Sequence, residues 1–303
     1  MKKLLLLICI SWLSVHAFDS QRAGFSVTVN GEINPYKLFS TFIMPGAEIV
    51  ISSTEAITVK SSEVTVNATA FNTRWKLSAP ITPGVYVANV TNKSGNVITV
   101  NVLVLTPLSQ MSGEYLNKYR IGSYPSQPLR GNQIYNPPKG LFEVTQKNLH
   151  LKLTPHFTLS QFLCKQAGDF PKYVMVRERL LLKLEFILER VNEKGYEVET
   201  FGFISGYRTP FYNKSIGNVQ YSRHVYGGAA DIFIDQNKDG RMDDLNKDGT
   251  VDEKDVRIFY NIVESEYSKD RYSYFVGGLG FYRKNSRHSG FIHVDVRGSK
   301  ARW

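Results

Sequence analysis

From Phe25 to about Thr106, apolar and polar residues alternate in short runs broken by turn residues: Phe25-Ser-Val-Thr-Val29, Ala47 to Ile51, Ile57-Thr-Val59 and Val64-Thr-Val66. A period of two with β-branched residues predicts strands, because successive side chains leave a strand on opposite faces. Val85 to Val90 and Val97 to Leu105 flank Asn92-Lys-Ser-Gly95-Asn96, which reads as a hairpin with a glycine turn. Trp75 offers an aromatic for the core.

Short alternating strands with regular turns predict an all-β sandwich of immunoglobulin-like type over residues 18–106. No catalytic constellation is visible there, so positioning or binding is its expected task. The character changes over residues 107–155. Tyr124-Pro125, Gln127-Pro128 and Asn136-Pro137-Pro138 interrupt any regular element, and the tyrosines predict a connector packed on the next domain. From His156 onward the period lengthens. Thr158-x-x-Gln161 has the form of a capping box, and Val176, Leu180, Leu184, Ile187, Leu188 and Val191 recur at helical steps before the stop at Gly195. Val198 to Ile204 then reads as a strand, giving an α+β domain over residues 156–303.

At 303 residues with 42% hydrophobic and 13% aromatic positions, the chain can bury a sizeable core in two domains. Met1-Lys2-Lys3, the apolar run Leu4 to Val15 and Val15-His16-Ala17 read as a signal peptide over residues 1–17, with Phe18 as the mature start. Export to the periplasm or cell envelope is the expectation, with no transmembrane segment in the mature chain. Cys9 falls within the signal, leaving Cys164 as the only mature cysteine and excluding an internal disulfide; Cys164 reads as a small buried hydrophobe. The net charge of +10 favours polyanionic partners, and for an exported protein these are cell-wall polymers, since no nucleic-acid motif is present. Oligomeric state is not legible.

Candidate chemistry concentrates late in the chain. Ser222-Arg-His224-Val-Tyr-Gly-Gly-Ala-Ala-Asp231 sets an imidazole and a carboxylate beside two glycines, and Phe291-Ile-His293-Val-Asp295 adds a second imidazole in an apolar run. Two histidines and one carboxylate with an open fourth position make a catalytic zinc arrangement. Asp231 would otherwise sit unpaired in the apolar run Ala230 to Ile234, at a high desolvation cost. Gly227 and Gly228 permit a close approach between His224 and that run.

Four ordered motifs then carry a resemblance: Ser205-Gly-Tyr-Arg208-Thr with Asn213; Ser222-x-His224-x-x-Gly227-x-Ala229-x-Asp231; Gly277-Gly-Leu-Gly-Phe-Tyr282; and Phe291-Ile-His293-Val-Asp295 with Arg302-Trp303. From His156 to Trp303 the chain resembles the peptidase M15 family of zinc D-alanyl-D-alanine carboxypeptidases and murein endopeptidases. The resemblance implies zinc on His224, Asp231 and His293. It also implies that Arg208 and Ser222 bind substrate, with the Arg208 fork on a carboxylate or developing oxyanion. Where several relatives place Glu or Asp three residues before the last histidine, this chain has Gly290. The base is therefore open between Asp295, favoured for its closeness to the metal and equally suited to orienting a ligand, and His288.

A second constellation follows Asp231. Asp235, Asn237, Asp239, Arg241, Asp243 and Asn246 lead into Asp244, Asn246, Asp248, Thr250, Asp252 and Asp255, with Gly240 and Gly249 at the sixth positions. Oxygen donors at this spacing suit calcium, and residues 235–255 resemble the loops of EF-hands and dockerins, with Asp255 at the last ligand position. The copies overlap, so one full and one shared site are expected, with the helix Val256 to Tyr267 behind them.

The expected protein is thus an exported zinc peptidase acting on peptidoglycan stem peptides or cross-links, its catalytic domain stabilised by calcium. The competing expectation is a non-catalytic, zinc- and calcium-binding envelope protein that has lost its base.

Overall fold

A computed structural model describes residues 18–303, so the expected signal peptide and Cys9 lie outside the described residues. The period-two region forms β1 (Arg22–Val29), β2 (Glu32–Tyr36), β3 (Leu38–Ile43), β4 (Glu48–Ser52), β5 (Ile57–Lys60), β6 (Thr65–Ala68), β7 (Arg74–Ser78), β8 (Gly84–Asn92) and β9 (Val97–Val104). These make two sheets, ordered β2-β1-β4-β7-β6 and β3-β9-β8-β5. In β1 the alternation turns Ala23, Phe25, Val27 and Val29 inward, where they meet Phe39, Val90 and Val100 of the opposite sheet in one core. Pairing within the two sheets is antiparallel except between β3 and β9, which run parallel from Leu38 beside Thr99 to Ile43 beside Val104. Trp75 lies at the edge of this core, its indole Nε1 donating to the Ile57 carbonyl at 3.0 Å.

Residues 107–155 are more regular than a connector. After β10 (Thr106–Pro107), β11 (Tyr115–Leu116) and β12 (Tyr119–Arg120), β13 (Gly140–Val144) pairs with β10 and with β14 (Lys172–Val174). Leu116, Tyr119, Ile121, Leu141, Phe142 and Val144 enter the larger core shared with the α+β region. Between β13 and β14 the short helix α1 (Leu159–Phe162) begins with the capping box, the Thr158 N–H donating to Gln161 Oε1 at 2.8 Å.

The amphipathic run folds as α2 (Glu178–Glu193). Its buried face serves both regions: Leu182 joins the sandwich core, while Leu180, Leu184, Ile187 and Val191 join the larger one. The expected strand from Val198 starts late, as β15 (Gly202–Ser205). The side-chain amide of Asn192 takes both backbone groups of Val198, at 3.1 and 2.9 Å, and so withholds them from a ladder. Then come α3 (Pro210–Ser215), β16 (Ala229–Phe233), α4 (Glu253–Glu264), β17 (Gly278–Tyr282), β18 (Phe291–Asp295) and β19 (Ala301–Arg302). They build a sheet ordered β15-β16-β18-β17-β19, in which the inner strands β16 and β18 are buried along their whole length. No helix among the described residues is long and apolar enough to cross a membrane.

Candidate metal centre

Antiparallel pairing sets Asp231 on β16 directly beside His293 on β18, and Ser205 on β15 beside Asp231. His224 arrives from a single 3-10 turn, Arg223–Tyr226, which ends on Gly227 at φ 66°. A Cβ at Gly227 would lie 2.4 Å from the Met175 carbonyl oxygen, and one at Gly228 would lie 2.8 Å from Arg223 Nη2. Glycine at 227 is what lets this turn press against the Met175 backbone, whereas the contact at Gly228 is with the flexible end of Arg223, a residue of the turn itself.

All three side chains are buried, and one ligand atom from each lies within 4.8 Å of the others. Asp231 Oδ1 is 3.1 Å from His224 Nε2 and 2.8 Å from His293 Nδ1, and the two nitrogens are 3.2 Å apart. Tetrahedral bonds of 2.0 to 2.1 Å place neighbouring donor atoms about 3.4 Å apart, so the triangle has nearly the size that zinc requires. Its chemistry fits as well. His224 Nδ1 faces the Gly206 carbonyl at 2.6 Å and His293 Nε2 faces Asp295 Oδ2 at 3.2 Å. Donation along both bonds leaves the inner nitrogens as lone pairs facing each other, an arrangement that needs a proton or a cation between them.

The electrostatics follow from burial and pairing. Desolvation lowers the His224 pKa despite the Asp231 carboxylate. Burial opposes the charged form of His293 too, but hydrogen bonds to Asp231 and Asp295 outweigh it and the pKa rises. Burial alone would raise Asp231, yet His224 and His293 hold it well below the usual carboxylate range.

The triangle forms part of the floor of an open cleft of about 950 Å³. Ser222 and Arg208 both line it. Arg208 is committed at both ends of its guanidinium, Nε donating to Ser205 Oγ at 2.8 Å and Nη2 to Asp231 Oδ2 at 2.7 Å. It thus steadies the outer oxygen of the carboxylate while bordering the cleft.

The two candidate bases separate. His288 lines the cleft, with Asn285 Nδ2 at 2.8 Å from its Nε2 and no partner on its Nδ1, and partial burial lowers its pKa. Asp295, favoured from sequence, is fully buried on the far side of His293. Its oxygens accept from the Gly278 N–H at 2.8 Å and from the Arg297 N–H and guanidinium at 2.5 to 3.0 Å. Burial would raise its pKa, but His293 and Arg297 hold it well below the usual range, so it is a poor proton acceptor. Its contact with the site is the hydrogen bond to the outer nitrogen of His293.

In the acidic insert, Asp235 accepts the N–H groups of Asp239 and Gly240, and Asp244 those of Asp248 and Gly249, so the two copies fold alike. Asp255, expected as the last calcium ligand, is occupied by backbone donors. It is buried, with one oxygen accepting from the Leu245 and Asn246 N–H groups and the other from Asp252 N–H, as the capping residue of α4. Lys254 places its ammonium 2.8 Å from Asp248 Oδ2. The helix behind the loops is Glu253–Glu264, three residues earlier than expected, because Asp252 caps it.

Sequence reasoning missed three supporting groups. Lys183 is wholly buried on α2 and donates to the Asp295 carbonyl at 2.7 Å; a lysine between Leu180 and Leu184 in an apolar stripe was the available signal. Arg297 follows Asp295 by two positions and clamps it. The Gly206 carbonyl, which fixes His224, left no trace beyond its place in the Ser-Gly-Tyr-Arg motif.

No curated protein matches the chain. Residues 155–263, which carry Arg208, His224 and Asp231 but stop short of His293, match the family model for Peptidase M15, and this match supports a metallopeptidase built around the buried His-Asp-His group.

Proposed function

We propose that the protein is an exported zinc metallopeptidase that hydrolyses peptide bonds in peptidoglycan stem peptides or cross-links. The observation that carries this reading is the convergence of His224 Nε2, His293 Nδ1 and Asp231 Oδ1 in the floor of an open cleft. Zinc held there would supply Lewis acidity toward a water and a carbonyl oxygen. Gly206 and Asp295 fix the two imidazoles in the tautomers that present the inner nitrogens. Arg208 holds Asp231 and lines the cleft, where its positive charge would favour a developing oxyanion. His288 is the proton carrier: it lines the cleft, and its lowered pKa keeps it neutral near pH 7. With His288 in the cleft, the replacement of a carboxylate by Gly290 does not leave the site without a base, which weighs against a purely binding role.

The peptidoglycan substrate rests on the family resemblance, the basic charge and the signal-like first residues. The β region is read as an immunoglobulin-like module, supported by the parallel β3–β9 pair in an otherwise antiparallel sandwich. Calcium is proposed for the insert on the repeated Asp-x-Asn-x-Asp-Gly pattern at 235–240 and 244–249. The test is incubation of the purified protein with muropeptides, with and without a zinc chelator, followed by mass spectrometry. Metal-dependent products are expected; their absence overturns the reading.

A further inference from the structure

The cleft is strongly one-signed. Lys165, Arg208, Arg223, Arg287 and Arg297 border it, and Asp231 is its one acidic residue. Two of these cations are ion-paired, Arg208 to Asp231 and Arg297 to Asp295, while Arg223 is buried and donates only through Nη1, to the Ile134 carbonyl at 2.8 Å. Among the described residues, neither the Lys165 ammonium nor the Arg287 guanidinium has a hydrogen-bond or ion-pair partner, and both are exposed.

The sheet order separates these two groups. Lys165 lies in the segment after α1 that runs along the β15 side, where the Tyr207 N–H donates to the Phe162 carbonyl at 2.9 Å and Thr209 Oγ1 to Gln166 Oε1 at 2.6 Å. Arg287 sits in the connection from β17 to β18, beside His288. In the order β15-β16-β18-β17, the strands bearing Asp231 and His293 fall between them. A chain laid across these strands over the metal triangle would meet an unpaired cation at each end.

We propose that the cleft selects a peptide with a carboxylate on each side of the scissile bond, one read by Lys165 and the other by Arg287; this rests on the peptidase reading given above. An unpaired guanidinium or ammonium gains a charge-assisted hydrogen bond from a carboxylate that an amide supplies only weakly. Bound so, the two ends fix the register of the peptide and bring one bond over the metal ligands.

The test uses the zinc-loaded full chain and four forms of one stem peptide, with each of the two flanking carboxylates free or amidated. Amidating either one is expected to lower kcat/KM about tenfold, the worth of one such bond. Lys165→Met is expected to abolish the acid-over-amide preference at one position only, and Arg287→Met at the other, while Arg287→Lys retains it. Zinc content and melting temperature of each variant separate lost recognition from lost folding. Equal cleavage of acid and amide forms by the wild type overturns the proposal, as does a preference that survives both substitutions. If no form is cut by the zinc-loaded wild type, the peptidase reading itself fails and this inference falls with it.

Discussion

His293 is held from both sides of its ring, with Nδ1 2.8 Å from Asp231 Oδ1 and Nε2 3.2 Å from Asp295 Oδ2. The outer carboxylate therefore decides which nitrogen faces the centre. Asp295→Asn keeps the shape but loses the charge that favours this tautomer. It is expected to weaken zinc binding or activity by roughly ten- to a hundredfold. Competition of the purified variant against a chromogenic zinc chelator measures the first effect directly. An unchanged zinc affinity together with unchanged activity would show that the contact is structural only.

His288→Gln is expected to leave zinc content intact and to lower kcat by roughly a hundredfold to ten-thousandfold, the usual span for a positioned proton carrier. Burial lowers the His288 pKa below its ordinary 6.5. A group that must accept a proton works when neutral, so kcat/KM should rise with pH through an acid limb lying below pH 6.5. That limb should vanish in the variant. Profiles of the same shape for both proteins would reassign the proton carrier.

Lys183 gives a stability prediction independent of activity. Desolvation, only partly offset by Asp295, lowers its pKa to about 7 from the ordinary 10.5. Between those values the unfolded chain binds a proton that the folded chain does not. Stability should thus rise with pH from about 7 to 10.5, by at most about 1.4 kcal/mol per pH unit from this group. Urea unfolding at several pH values should show the rise in the wild type and a smaller one in Lys183→Met. Parallel curves would count against it.

The insert begins four residues after Asp231, at Asp235, and the Asp243 N–H donates to the Ile234 carbonyl at 3.1 Å, so loop and ligand strand are tied. If the loops take calcium, the ion at a hundredfold excess over its Kd adds about 2.7 kcal/mol to stability. A calcium-specific chelator should then lower the melting temperature at constant zinc. Coincident melting curves dispose of the calcium proposal.

The sequence by itself determined what local periodicity and spacing can specify. Alternation marked the strands that form the sandwich, the three- and four-residue steps marked α2, and the motifs pointed to His224, Asp231 and His293, which the fold brings together. What spacing could not specify was direction across the sheet. Asp295 lies on the same strand as His293 and looked like a base, but register turns His293 Nδ1 inward and leaves Asp295 behind the ring, sealed by Arg297 and Gly278. His288 instead reaches the cleft through a loop whose path no period encodes. Lys183, more than a hundred residues from Asp295, is coupled to it only because α2 packs against the sheet. Candidate ligands follow from side-chain chemistry, which the chain carries in its letters. Proton and charge roles depend on burial and on which face of each group is covered, and those exist only once distant segments are packed together.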